Sequence, residues 1–167
     1  MIDEAFYSAK SKNRTARSVF LGLLGTSMLF ALAAIITPKF SGIVWFFALV
    51  SITATIYVYN RYVGAEYGYT LSNDCGSRLL IIDMRIGKTV RTMARLELHS
   101  LTEVRRMTGK EYRSYKCEKG VMKYPYFPTM RPDEVYLVSF RSDYESIDVF
   151  IEADENFILA LESYTQQ

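Results

Sequence analysis

At 167 residues, half of them hydrophobic and 23% charged, the chain has the size of one ordinary domain or of a small domain with an anchor. Two cysteines without a CxxC pair and a single histidine, His99, argue against a Cys/His zinc site. The net charge of +2 hides an uneven distribution: from Ser18 to Asn60 the only ionisable side chains are Lys39 and tyrosines.

The first 17 residues read as a short tail of mixed charge. Its Lys10, Lys12, Arg14 and Arg17 serve as a topology signal, or touch anionic headgroups at about 1 kcal/mol each. Two apolar runs follow, residues 19–37 and 40–59, inside a hairpin unit spanning 18–60. Each approaches the ~20 residues that cross a bilayer core as a helix. Neither has the polar stripe of a surface helix, and the first is too long for a signal peptide and is followed at once by the second. The short link around Pro38 and Gly42 makes the two helices an antiparallel hairpin. Lys and Arg gather at the two outer ends, with Arg61 after the second run and Lys39 alone in the link. The positive-inside rule therefore places both termini in the cytoplasm of a multi-pass cell-membrane protein. Cytoplasmic placement implies that Cys75 and Cys117 are reduced thiols. Tyr57, Tyr59 and Tyr62 form an aromatic belt at the inner interface, and Trp45 and Phe46 lie nearer the outer one.

Within the spans, Ser18, Gly22 and Thr26 recur at every fourth residue, as do Ser51 and Thr55. This small-residue spacing permits close helix approach, either between copies or within the hairpin. No acidic, basic or histidine side chain lies in either span, which argues against transport by the hairpin itself.

From residue 65 to 167 the pattern becomes that of a folded domain. Tyr67, Tyr69 and Leu71 share one face of a first strand, residues 72–77 form a turn, and residues 78–85 form a second strand. Ile86-Gly87-Lys88 is a tight turn into a third strand, where Val90, Thr92, Ala94 and Leu96 alternate with Thr89, Arg91, Met93 and Arg95. A fourth strand covers 101–107. Residues 108–132 have no clear pattern, and a fifth strand lies near 112–117 or near 120–124. Residues 134–140 and 146–152 form a hairpin with Ile147, Val149 and Ile151 inward. Asp154 caps a final helix with Phe157, Ile158 and Leu161 as its stripe. Six or seven antiparallel strands closed by a C-terminal helix describe a small barrel or sandwich.

The segments Tyr69-Thr70-Leu71, the polar turn 72–77, Arg78-Leu79-Leu80-Ile81-Ile82 and Ile86-Gly87-Lys88 give the chain a resemblance to the pleckstrin-homology superfold. More narrowly, it resembles bacterial PH-like domains that follow paired membrane spans, in small two-span membrane proteins of Gram-positive bacteria. The resemblance covers about residues 19–164 and implies a binding or assembly module, not an enzyme. The turn 72–77 carries Asp74 and no basic residue, and the final helix has Phe157 and Leu161 but no tryptophan, which does not fit phosphoinositide recognition.

Charge segregates along the domain. Residues 78–123 hold twelve Lys or Arg against five Asp or Glu, and residues 131–167 hold two against nine. The halves neutralise one another, or each meets an oppositely charged surface. Arg91 and Arg95, on the outward face of the third strand, with Arg105, Arg106, Lys110 and Arg113, are the candidate contacts for a protein partner or anionic headgroups. Tyr112, Tyr115, Tyr124, Tyr126 and Phe127 interleave with them. Such a mixture binds single-stranded nucleic acid in other settings, but the anchor favours headgroups, and ordinary core aromatics in a solvated loop explain it too. His99 beside Ser100 on a strand makes a poor nucleophile–base pair, and no phosphate-loop, dinucleotide, zincin or serine-hydrolase motif occurs. The sequence therefore predicts a non-enzymatic, membrane-anchored PH-like scaffold without metal or cofactor. The alternative is a small subunit of a membrane transport or envelope-stress complex whose spans are themselves functional.

Overall fold

A computed structural model describes residues 5–10, 14–37, 41–74, 77–142 and 145–164. Lys12, the link residues Pro38 and Lys39, and Cys75 lie outside the described residues. Helix α1 (Arg14–Ile36) and helix α2 (Ser41–Val58) cover the two apolar runs. Both are long and apolar enough to cross a membrane. Phe20 meets Tyr59, Ser27 meets Ser51 and Phe30 meets Phe47, so one helix descends as the other rises.

Their seam is narrow and built from small residues. Ala16, Ser27 and Ala34 of α1 are buried, as are Ala48, Ser51, Thr55 and Val58 of α2. Steps of three and four residues along α2 keep these positions on one side of the helix. The Ser27 and Ser51 hydroxyls lie 2.9 Å apart, and both reach the Leu23 carbonyl. Ser51 and Thr55 thus pack the hairpin against itself. Ser18, Gly22 and Thr26 do not: all three are exposed, and open space surrounds Gly22. Thr26 precedes the seam residue Ser27, and one residue is about 100° of helix rotation.

Strand β1 (Ala5–Lys10) forms where the sequence predicts only a tail of mixed charge. It pairs antiparallel with β2 (Ala65–Asp74), from Ala5 opposite Leu71 to Lys10 opposite Glu66. The helical hairpin is therefore inserted between two neighbouring strands of one sheet. That sheet continues through β3 (Ser77–Ile86) to β4 (Thr89–Glu97), in the order β1-β2-β3-β4. Gly87, at φ +60°, makes the tight turn between β3 and β4. A 3-10 turn, Leu98–Ser100, leads to the second sheet, built from β5 (Leu101–Thr108), β6 (Met122–Pro125), β7 (Glu134–Arg141) and β8 (Ser146–Ile151) in the order β5-β7-β8-β6. The two sheets do not close into a barrel. Nor is every pair antiparallel, since β6 runs parallel to β8.

Tyr67, Tyr69, Leu80 and Ile82 from the first sheet and Val138, Val149 and Ile151 from the second form the main core. Helix α4 (Glu155–Glu162) closes it with Phe157, Ile158 and Leu161, and the Asp154 carboxylate accepts the Phe157 N–H at 2.8 Å. Seven strands and a terminal helix after residue 65 agree with the expected count.

The unread stretch holds the main departure. Residues 112–117 are not a strand: helix α3 (Gly109–Lys116) occupies them, started by a capping box between Thr108 and Glu111. Gly109 is needed where the chain turns, because a Cβ there would lie 2.1 Å from the Pro132 carbonyl oxygen. The helix lays Tyr112 on the outer face of the second sheet against Phe127, Val135, Leu137 and Phe150, a second core. β8 is consequently buried on both faces, and Asp148, which alternation places outward, is fully enclosed. Tyr115 donates to it at 2.6 Å, Ser139 at 2.9 Å and Arg141 at 2.9 Å.

Burial pushes the Asp148 carboxyl up, but the hydrogen bonds from Tyr115, Arg141 and Ser139 and the Arg141 charge outweigh it and hold the group below its usual range. The unfolded chain thus takes up this proton first. The stabilisation is complete above about pH 4 and is lost as pH falls through the depressed folded value. Asp148→Asn should lower the melting temperature of the detergent-solubilised full chain at pH 7 and flatten its dependence between pH 4 and pH 2. The hydrogen bond to Asp148, with burial second, raises the Tyr115 phenol to about 12. An absorbance titration should show that late ionisation moving towards the ordinary tyrosine range in the variant.

Candidate functional site

The helical hairpin meets the domain at a joint built on Arg61. A π-helical turn, Tyr59–Val63, follows α2 directly, and only Gly64 separates it from β2. The wide turn brings the Arg61 guanidinium onto the domain. It donates to the Tyr67 hydroxyl, to the Phe127 carbonyl at 3.1 Å and to the Pro125 carbonyl at 2.6 Å. It also lies 5.4 Å from the ring centres of Tyr62 and Tyr67. Tyr69 ties down the same segment by donating to the Tyr126 carbonyl at 2.5 Å. Sequence reading assigned Arg61 to topology alone; its signal was a lone cation followed by a tyrosine-bearing strand.

Beside this joint, Asn60, Met84, Ile86, Thr89 and Arg91 line an open hollow of about 290 Å³. A β-bulge puts Arg91 there. The β3–β4 register shifts between Ile82 and Asp83, so Ile82 faces Ala94 while Met84 faces Arg91. Arg91 therefore shares the side of Met84, whereas Arg95 lies opposite Ile81 on the other side of the sheet. This corrects the expectation that both arginines share the outward face, because one extra residue reverses the alternation. Among the described residues, neither arginine has a carboxylate partner.

The remaining basic residues do not join them in one patch. Arg105 lies opposite Leu137 and Arg106 opposite Tyr136, so they point to opposite faces of the second sheet. Arg106 is engaged by Glu134 and, at 3.7 Å, by Glu155. Arg105 approaches Glu103 at 3.6 Å. Arg113 donates to the Gly109 carbonyl at 2.9 Å, and Lys110 is exposed at the start of α3. The second sheet thus neutralises much of its own charge, also through Arg141 and Asp148, while β4 at the rim of the first does not. Tyr112, Tyr115 and Phe127 belong to the core beneath α3, and Tyr124 stacks on Tyr126 at 5.9 Å.

A larger hollow, about 430 Å³, lies at the start of α4. Asp133, Glu134, Glu152, Asp154 and Glu155 outnumber Arg106 and Arg131 in its lining. Burial raises the Glu152 carboxyl, and its hydrogen bond from Thr129 at 2.6 Å only partly offsets this. No group of three His, Cys, Asp or Glu suited to a metal ion occurs among the described residues. His99 is exposed with Nδ1 3.2 Å from Glu97, and Ser100 donates instead to the Glu97 carbonyl.

Arg61→Gln removes the forked donor and leaves the Pro125 and Phe127 carbonyls without it. A loss of about 3 kcal/mol is expected, with Arg61→Lys intermediate because an ammonium cannot fork. Spin labels on Cys117 and on a cysteine introduced at the exposed Thr53, with Cys75 changed to serine, should give a narrow distance distribution in the parent and a broad one in Arg61→Gln.

Comparison with known families places this architecture. The family model described as Bacterial PH-like domain (DUF6106) matches residues 7–167, and the chain belongs to that family. The match takes in β1 and the helical hairpin as well as the domain. Searches of the curated proteins and of the solved structures returned no match.

Proposed function

We propose that this member of the bacterial PH-like domain family is a membrane-anchored, non-enzymatic binding or scaffold module at the inner face of the cytoplasmic membrane. The observation that carries the proposal is the helical hairpin inserted between β1 and β2. Away from its seam its surface is apolar, with Leu29 69%, Ile35 73% and Ile36 77% exposed. A water-soluble protein would bury such a surface. Threonines on it are turned inward: Thr26, Thr37 and Thr53 each donate to the carbonyl four residues back.

Orientation follows from charge. Arg14 and Arg17 at the start of α1 and Arg61 after α2 lie at the domain end of the hairpin, against Lys39 in the link. The positive-inside rule then puts the domain in the cytoplasm. Held there, the domain meets its target at raised local concentration, whether that target is a protein partner, a second copy or anionic headgroups. One observation favours the second reading, a subunit of a transport or envelope-stress complex. Ser18, Gly22 and Thr26 form an exposed small-residue stripe on α1, suited to another helix.

Alkaline carbonate extraction should leave the protein in the membrane pellet; release into the supernatant would refute the anchor. Exchanging residues 18–58 for an unrelated two-helix hairpin, with the Arg61 turn kept, should preserve crosslinked partner capture, and its loss would support the subunit reading. Reversing Arg91 and Arg95 to Glu should abolish capture; unchanged capture would exclude the rim of the first sheet as the interface.

A further inference from the structure

The hollow beside the joint differs in chemistry and in depth from two others lined by described residues. Its polar lining is Arg91, Asn60 and Thr89, one cation and two neutral hydrogen-bonding groups, and no carboxylate lines it. Ile86 and Met84 supply an apolar floor. The hollow at α4 is instead rich in carboxylates, and the third, lined by Leu96, Ser100, Phe140, Ser142, Glu145 and Ile147, has one carboxylate and no cation.

Depth comes from the chain itself. Asn60 lies two residues beyond the end of α2, about 3 Å further along the axis, where the apolar run gives way to the tyrosine-rich turn. Ile86 lies opposite Ala65, so the β3–β4 turn with Lys88 comes down beside the point where the helix leaves the apolar layer. Tyr57, Tyr59 and Tyr62 mark the same level. The bulge in β4 swings Arg91 to this side and leaves Arg95 on the other.

We propose that Arg91, Asn60 and Thr89 bind the phosphate of an anionic phospholipid headgroup, with the lipid's glycerol and upper acyl region against Ile86 and Met84. The guanidinium pairs with phosphate oxygens in its fork, and the Asn60 amide and Thr89 hydroxyl donate to the remaining oxygen. This site deepens the proposed membrane-surface function and rests on the hairpin being the anchor. The lipid is the favoured source of phosphate because the floor is apolar and opens at the level of the helix exit.

The test uses the full chain in a nonionic detergent, given equimolar phosphatidylglycerol and phosphatidylcholine, with retained lipid counted by native mass spectrometry. Phosphatidylglycerol should be retained in preference. Arg91→Gln should reduce its retention about fivefold and leave phosphatidylcholine unchanged. Arg95→Gln removes the same charge from the opposite face and should retain phosphatidylglycerol like the parent. Unchanged retention in Arg91→Gln, or equal loss in both variants, would overturn the site. Displacement of phosphatidylglycerol by excess inorganic phosphate at constant ionic strength would overturn the lipid assignment in favour of a free anion. Carbonate extraction separates the two proposals: a parent that pellets but shows no preference sinks only the lipid site, whereas a parent that is extracted sinks the anchor.

Discussion

Everything about how this domain is presented depends on the Arg61 joint. A guanidinium taken partly out of water needs several partners, and here it has two main-chain carbonyls, a tyrosine hydroxyl and two aromatic faces. Its hydrogen-bond partners come from β2 and from the end of β6 and the segment after it, so one side chain from the hairpin holds parts of the domain about 60 residues apart in sequence. The insertion of the hairpin between β1 and β2 reinforces it, since both legs run into paired strands of one sheet. A flexible linker would let the domain tumble relative to the hairpin. This joint gives it a fixed lower face.

With the lower face fixed, the division of charge acquires meaning. The basic and acidic halves meet inside the second sheet at Arg106, which joins Glu134 and Glu155, while Arg141 and the buried Asp148 pair within the acidic half. At that point the segregation is an internal pairing of neighbouring strands. On the first sheet Arg91 and Arg95 have no carboxylate partner among the described residues, although Asp83 of β3 and Glu97 of β4 lie on the same sheet. Internal neutralisation therefore describes part of the second sheet, and Arg91 and Arg95 of the first stand outside it.

Strong local periodicity made the hairpin, the β2–β4 meander, the β7–β8 hairpin and α4 legible in the sequence. Three features were not. β1 is six residues without marked alternation, and its partner lies beyond both apolar helices, so nothing local identifies it. α3 is only eight residues, and the tyrosines at 112 and 115 read as readily at strand spacing; the Thr108–Glu111 capping box was the available signal. The bulge at β4 was hidden because Met93 fits a strand pattern as well as its neighbours do, so Arg91 and Arg95 looked equivalent. The site suffered more than the fold. Its residues come from a helix exit and two strands that only the tertiary structure brings together.

The same bulge resolves a further problem of the architecture. β4 ends its sheet and leaves unpaired backbone groups along an edge that also exposes Val90 and Met93, a combination prone to pairing with other chains. A register shift in the β3–β4 ladder and two arginines placed on opposite faces both oppose such pairing, because an incoming strand would meet a distorted edge and a cation on either side. Arg91, turned by the irregularity towards Asn60 and Thr89, sits at the foot of the domain beside the helix exit, and this position separates the two residues in role although they look alike in sequence.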